Sequence, residues 1–342
     1  TEEYGNMVLA AVRRTGLDKS TMKEQFETGL KTNQFDTVIG FLLLLCPNVT
    51  RLDLGFPIIA YSYILTCLPV LGHILEHFVL PTQSTERISR FQHLKAVTLG
   101  SSFLPSVTDD LLVELPRCAR EQCILSLRSY LALFYLPELE QAEISLPFSR
   151  LDFSWPAVAP PNSAMKVLRL PLCTLPPIDL QEILECTPHV TRLEYDYRMW
   201  STDTLEAHEL LSALAWIKDS LKHFRFILEL WSSEDQFIGE RASFQEDYYY
   251  VEGHCSLRDF PALETVTIPS CVLLGWSNRK CPDLEHVLPP NLVSICLTDH
   301  LGGCDRYKKK KKHLMPVIER CFGNEYWGGT VPRLDYLWHF RE

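Results

Sequence analysis

The segment Pro47-Asn48-Val49-Thr50-Arg51-Leu52-Asp53 returns far downstream as Pro188-His189-Val190-Thr191-Arg192-Leu193-Glu194. Five of the seven positions are identical, and the seventh keeps its negative charge. Each copy follows an apolar run ending near a cysteine, Phe41 to Cys46 in one case and Ile183 to Cys186 in the other. Internal similarity of this kind is the signature of a repeat architecture, and it outranks any local signal.

What recurs is an apolar residue followed by apolar residues three and five positions later. Leu94, Val97 and Leu99 fit, as do Leu139, Ala142 and Ile144, and Met165, Leu168 and Leu170. Leu221, Phe224 and Phe226 continue the series, then Leu263, Val266 and Ile268, then Leu292, Ile295 and Leu297. Leu75, Phe78 and Leu80 fit more weakly, and Leu334 with Leu337 has His339 in the third place. Such triplets are individually cheap: at this apolar content about one start in ten meets the rule by chance. Two copies go further. Met165 to Leu175 completes an LxxLxLxxCxL form around Cys173, with Met first, and Leu263 to Leu273 does so around Cys271, with Val and Ile substituted.

The physical sense is direct. Apolar residues two apart share one side of a short strand. A thiol eight positions after the start fills the bend where the chain leaves the strand. No single unit can bury its apolar side alone, whereas stacked neighbours can. The spacers read as helices. Asp203-Thr204-Leu205-Glu206 has the form of a capping box ahead of Leu210, Leu211, Leu214 and Ile217. Asp179 with Glu182 opens another helix carrying Leu180, Ile183 and Leu184, and Thr108-Asp109-Asp110 could cap a third. Prolines 47, 137, 188 and 261 precede strand starts, where helices should end.

The expected fold is therefore α/β: an irregular leucine-rich-repeat solenoid over 37–342, with a curved parallel sheet on its concave face and helices on its convex face. Insertions are expected near 100–130, 231–260 and 299–330, the first hiding a strand around Cys123 to Leu127. Residues 1–36 read as a helical lead-in or cap.

Composition narrows the function classes. The chain has 342 residues, 46% apolar, with a net charge of −10 at pH 7. That balance favours a folded chain and speaks against nucleic acid, whose binders carry basic faces. The 12 cysteines are scattered, without a CxxC pair or histidines at zinc spacing. Buried thiols in the reducing cytoplasm or nucleus are expected, with no metal and no cofactor. Leu54 to Leu75 lacks charged residues, but Pro57 and Pro69 interrupt it, so no membrane span is expected. The opening Thr1 suggests a piece of a longer protein. No phosphate loop, GxSxG elbow or HExxH helix occurs, so no catalytic role is expected.

The irregular spacing, the Pro-containing turn and the LxxLxL strands resemble the degenerate leucine-rich-repeat region of fungal F-box-type proteins, over about 36–342. That resemblance implies a substrate-recognition region for a cullin-based ubiquitin ligase, joined through an F-box to a Skp-type adaptor. Residues 1–36 lack the leading Leu-Pro and the closing Cys/Trp helix of an F-box. The Skp-type adaptor is thus expected only if an F-box lies upstream. The alternatives are a repeat adaptor unrelated to ubiquitination and an α/β enzyme whose site is not recognisable in the sequence.

Residues between the inward positions should face out and form the partner surface. They are Arg51, Asp53, Gln141, Glu143, Arg169, Arg192, Glu194, His223 and Arg225, followed by Thr265, Thr267, Ser294, Tyr336 and Trp338. Arginines and aromatics are the usual energetic anchors of such surfaces. The bland reading is a solvated sheet face whose charges pair with one another. Glu246 to Tyr250 reads as an insertion, and Arg306 with Lys308 to Lys312 as a solvated basic loop.

Overall fold

The computed structural model describes residues 24, 28–29, 35–46, 48–54, 72, 74–76, 79–80, 91–99, 129–146, 153–161, 163–200, 203–231, 251–275, 282 and 284–298. The chain divides into two compact units, one of 1–144 with 151–164, the other of 145–150 with 165–342. Both are α/β, and every strand pairing described within them is parallel.

In the first unit, helix α1 (Phe35–Leu45) leads into β1 (Arg51–Leu54). Strands β2 (Ala96–Leu99) and β3 (Gln141–Ile144) follow, the latter after a 3-10 turn at Ala132–Tyr135. β2 lies between β1 and β3, with Leu52 in register with Val97 and Val97 with Ala142. All three residues are buried, as are Leu54, Leu99 and Ile144 one step on. The polar partners between them face the other way, which is the period-two alternation of a strand buried on one side.

The second unit begins with β4 (Val167–Cys173), α2 (Pro177–Glu185) and β5 (Arg192–Trp200). Then come β6 (Leu205–Glu206), α3 (Ala207–Leu214) with a 3-10 turn at Ala215–Ile217, and β7 (His223–Trp231). β8 (Val251–Glu252), β9 (Thr265–Pro269), α4 (Ser270–Leu274), α5 (Leu284–Val287) and β10 (Ser294–Thr298) complete it. The strands stand in the order β4-β5-β7-β9-β10, which follows the chain, while β6 and β8 form a separate pair. There is no reversal of strand order among them, and so no crevice of the kind such a reversal creates in a doubly wound sheet.

The recurrence seen in the sequence is also a recurrence of backbone bonding. The carbonyl of Thr50 accepts from the N–H groups of both Lys95 and Ala96, at 2.9 and 3.2 Å. Lys95 does the same for Glu140 and Gln141. In the second unit Lys166 accepts from Thr191 and Arg192, and Thr191 from Lys222 and His223. Lys222 then accepts from Glu264 and Thr265, and Glu264 from Val293 and Ser294. Each acceptor sits one residue after the leading apolar position of its copy. The leading residues Leu94, Leu139, Met165, Val190, Leu221, Leu263 and Leu292 have no exposed surface, whereas Val49, which leads the first copy, is half-buried. Burial of each such side chain is worth about 1.5–3 kcal/mol.

The interior between β4, β5 and β7 is aromatic as well as aliphatic. Tyr195 stacks on Tyr197 and lies 5.3 Å from Phe226, which stacks in turn on Phe224. The buried Tyr195 hydroxyl donates to the carbonyl of Leu175, so its polar end is satisfied. Cys173 and Cys271 are fully buried, as the two long motif copies require. Burial pushes the thiols of Cys173 and Cys255 up to about 12, so they stay protonated. Cys186 is also buried, whereas Cys46 is exposed. The two cysteine motifs leave their strands differently. Cys173 still belongs to β4, after a register shift and a left-handed Leu172 at φ 51°, whereas Cys271 already lies in α4.

Two local expectations are corrected, and the helix opened by Asp179 is found. Leu75 and its neighbours are helical, not a strand: Ile74–Glu76 are in helix, and the N–H of Leu80 donates to the carbonyl of Glu76. Asp203 to Glu206 forms no capping box, because Leu205 and Glu206 are drawn into β6 beside Val251 and Glu252, and the helix starts at Ala207. Asp179 lies inside the first turn of α2, where the helix dipole favours a carboxylate, while Pro176 holds the cap position. Leu180, Ile183, Leu184, Leu210, Leu214 and Ile217 are buried as expected. Among the described residues no helix is long and apolar enough to cross a membrane.

Candidate functional site

The outward side chains of each unit form rows fixed by strand register. In the first unit Arg51 pairs in register with Ala96 and then Gln141, and Asp53 with Thr98 and then Glu143. Arg51, Asp53 and Gln141 are exposed and Glu143 is half-buried. In the second unit one row runs Val167, Arg192, His223, Thr265 and Ser294. The next runs Arg169, Glu194, Arg225, Thr267 and Cys296. Neighbouring strands are about 4.8 Å apart, so side chains in one row lie within reach of each other. The sheet thus gathers Arg169, Arg192, Glu194, His223 and Arg225 into one patch. Tyr336 and Trp338, the insertion at Glu246–Tyr250, the lysine run and the expected strand at Cys123–Leu127 lie outside the described residues, as does Thr108 to Asp110.

Within the patch the charges pair. Glu194 accepts from Arg169 Nε at 3.1 Å across the strands and from Arg192 Nε at 2.7 Å along its own strand, both through Oε1. Arg225 reaches diagonally to Asp196 at 2.5 Å, and Arg198 Nε donates to Glu229 at 3.1 Å. His223 Nδ1 lies 2.8 Å from the Thr265 hydroxyl. Burial works to raise the Glu194 carboxyl, but the hydrogen bonds and charges of its two arginines outweigh it and hold the group below its ordinary value. For Asp196 the balance reverses. Burial dominates over its single arginine, Glu229 and Glu194 add repulsion, and the carboxyl is raised.

Asp196, Arg198 and Glu229 were not among the residues singled out from the sequence. The repeat frame ends each strand soon after the third apolar position, whereas β5 and β7 run on for nine residues each. The signal was present in Arg192-Leu-Glu-Tyr-Asp-Tyr-Arg-Met199, a strict alternation that continues past Tyr195. Among the described residues no group of three or more His, Cys, Asp or Glu is arranged to hold a metal ion. Chemically, the patch offers fixed guanidinium and carboxylate groups and one imidazole on a rigid sheet, an arrangement suited to recognition. Comparison of the sequence with family models and with curated proteins yields no match.

Proposed function

We propose that the chain is a non-catalytic protein-interaction scaffold, built as an irregular leucine-rich-repeat solenoid whose outward sheet face receives a protein partner. The observation that carries this reading is the recurring strand entry. The same bifurcated backbone acceptor and the same buried inward pair return from copy to copy, and the leading residue is sealed in each copy after the first, where Val49 is half-buried. Repetition of this kind extends a sheet one strand at a time and displays a polar row at each step, which makes a long recognition surface from a small unit. The likeness to the repeat region of fungal F-box-type proteins supports a more particular role, as the substrate-recognition region of a ubiquitin-ligase receptor.

The test is affinity capture from cells with the full-length protein, followed by mass spectrometry, comparing wild type with the Arg192→Ala/His223→Ala double variant. A partner set depleted by the variant supports the face assignment, and capture indifferent to it sinks that assignment. Co-purification of a Skp-type adaptor and a cullin supports the receptor role. A defined set without them favours an adaptor unrelated to ubiquitination.

A further inference from the structure

The first copy of the repeat stands at the end of the strand order, with β2 on one side of β1 and, among the described residues, no strand on the other. The direction of its open bonds follows from the ladder. Ala96 is in register with Arg51 and donates its N–H to the Thr50 carbonyl at 3.2 Å. Alternation along the strand then turns Leu52 to β2, and turns the N–H and C=O groups of Arg51 and Asp53 to the open edge. In the repeated heptapeptide that side is filled. Arg192, at the position of Arg51, donates its N–H to Lys166 of the preceding copy at 3.1 Å. Glu194, at the position of Asp53, accepts from Arg169 of the preceding strand at 3.1 Å. Among the described residues the side chains of Arg51 and Asp53 make no hydrogen bond or ion pair, and both are exposed. The first copy is under-filled at its apolar positions too. Leu42 and Leu45 are 54% and 49% exposed, where their counterparts Ile183 and Cys186 are buried. Val49 is half-buried, where Val190 is sealed.

From this open edge we infer that β1 is a self-association surface, on which a second copy of this chain pairs antiparallel about a two-fold axis through Leu52. In that register the sequence is its own complement. Arg51 faces Asp53 of the second copy, Asp53 faces its Arg51, and Leu52 faces Leu52. Each opposed arginine and aspartate exchange both backbone bonds, while the two leucines form the non-bonded pair between them. The same residues become cross-strand ion pairs on the outward face, replacing the neighbour that Glu194 finds in Arg169. An axis through Arg51 or through Asp53 would set like charges face to face, so the charges fix the register. Charge on an edge strand discourages indiscriminate pairing, and here its two signs select the one partner that presents the same strand in reverse. A two-fold contact closes on itself, so association stops at the dimer. Each chain carries a net charge of −10, but that repulsion is screened beyond about 8 Å at physiological salt.

Sedimentation equilibrium of the full chain at physiological salt reads the association. A four-residue strand makes a small interface, so a dimer dissociation constant of about 1–100 µM is expected. Arg51→Asp and Asp53→Arg should each weaken the dimer at least about tenfold, because every opposed pair becomes two like charges. Thermal unfolding should be unchanged in both. Mixing the two variants should restore a dimer, one chain supplying the aspartates and the other the arginines. The Arg51→Asp/Asp53→Arg double variant should also self-associate like wild type, since reversing both signs leaves the register complementary. Glu182→Lys, on α2, changes the net charge by as much as Asp53→Arg and should have no effect. If a single variant does not fold, the double variant carries the comparison, and a folded double variant that stays monomeric overturns the proposal. So do a wild-type chain that is monomeric throughout, a dimer indifferent to both single variants, association that grows beyond the dimer, and variants that mixing does not rescue. A monomeric chain that still captures partners in cells leaves the scaffold reading standing while this inference falls.

Discussion

At the scale of single residues, direction of burial decides everything along these strands. Leu193 and Arg192 are adjacent, yet one is sealed in the interior and the other stands in solvent. Leu193→Asp places a carboxylate between its buried register neighbours Leu168 and Phe224, which offer it no partner, and Leu52→Asp places one beside the buried Val97 in the first unit. Each should cost at least about 3–5 kcal/mol, the range for an unpaired charge in a core. Urea unfolding checks this, and an unchanged midpoint in both would remove the inward assignment. The charged face behaves differently because its groups titrate. Glu194 sits below its ordinary value near 4.5, so the folded state binds fewer protons than the unfolded one across that window. Its contribution is complete above the ordinary value and is lost as pH falls through the folded value. The stability gap between wild type and Glu194→Gln should therefore be widest at neutral pH and shrink on acidification. Asp196, raised by burial, runs the other way: wild type should improve relative to Asp196→Asn as acid is added. Thermal unfolding of the three proteins from about pH 7 to pH 3 spans both ordinary carboxylate values, and parallel curves would refute the assignment.

At the scale of elements, two copies are fastened to the one before by more than their strands. Ser220, immediately ahead of the leading Leu221, has its hydroxyl 2.9 Å from the Pro188 carbonyl and 2.8 Å from that of Val190. Asn291, immediately ahead of Leu292, donates Nδ2 to the Pro261 carbonyl at 2.7 Å. The same position thus reaches back to the same proline of the preceding copy. Ser220→Ala should cost about 1 kcal/mol, and Asn291→Ala less because it is exposed. Denaturant midpoints measure both, and no change at Ser220 would make the clip incidental. Neither clip follows from the residue types, but the strand frame does, because apolar residues at +3 and +5 admit only one alternation. The same rule misplaced Leu75 and Leu80, since a spacing of three is also a helical neighbour. Only the +5 position discriminates, and in so apolar a chain it is often filled by accident. The failed capping box at Asp203 has a different origin. The backbone of Leu205 and Glu206 is claimed by Val251 and Glu252, a partner far along the chain that no local window contains. The extension of β5 was legible in alternation but was overridden by the expected repeat length, whereas in β7 the alternation is interrupted by Ile227, buried between Phe226 and Leu228. The pairing of Asp196 with Arg225 depends on that extension, so the recessed acids of the candidate surface were missed with it.

At the scale of the whole molecule, the sheet of the second unit is ordered by sequence, and this has a consequence for how it opens. When every strand touches only its neighbours in the chain, stability is a sum of unit and interface contributions. Opening a strand with one partner breaks one interface, whereas opening one between two partners breaks two. β5 is paired with β4 on one side and over nine residues with β7 on the other. Among the described strands, β10 is paired with β9 alone. Native-state hydrogen exchange should therefore find the amides of Leu193–Tyr197 and Phe224–Phe226 slowest, with those of Ile295–Leu297 faster, because sub-global openings start where fewest contacts are lost. A single protection level across β5, β7 and β10 would mean that the unit opens all at once. That outcome would count against a stack of neighbour-coupled copies and favour a core shared by all strands. A graded result would tie the repeat in the sequence to the energetics of the fold. It would also place Arg192 and Glu194 on one of the most slowly opening strands, where a surface that must hold its charges in fixed geometry is best built.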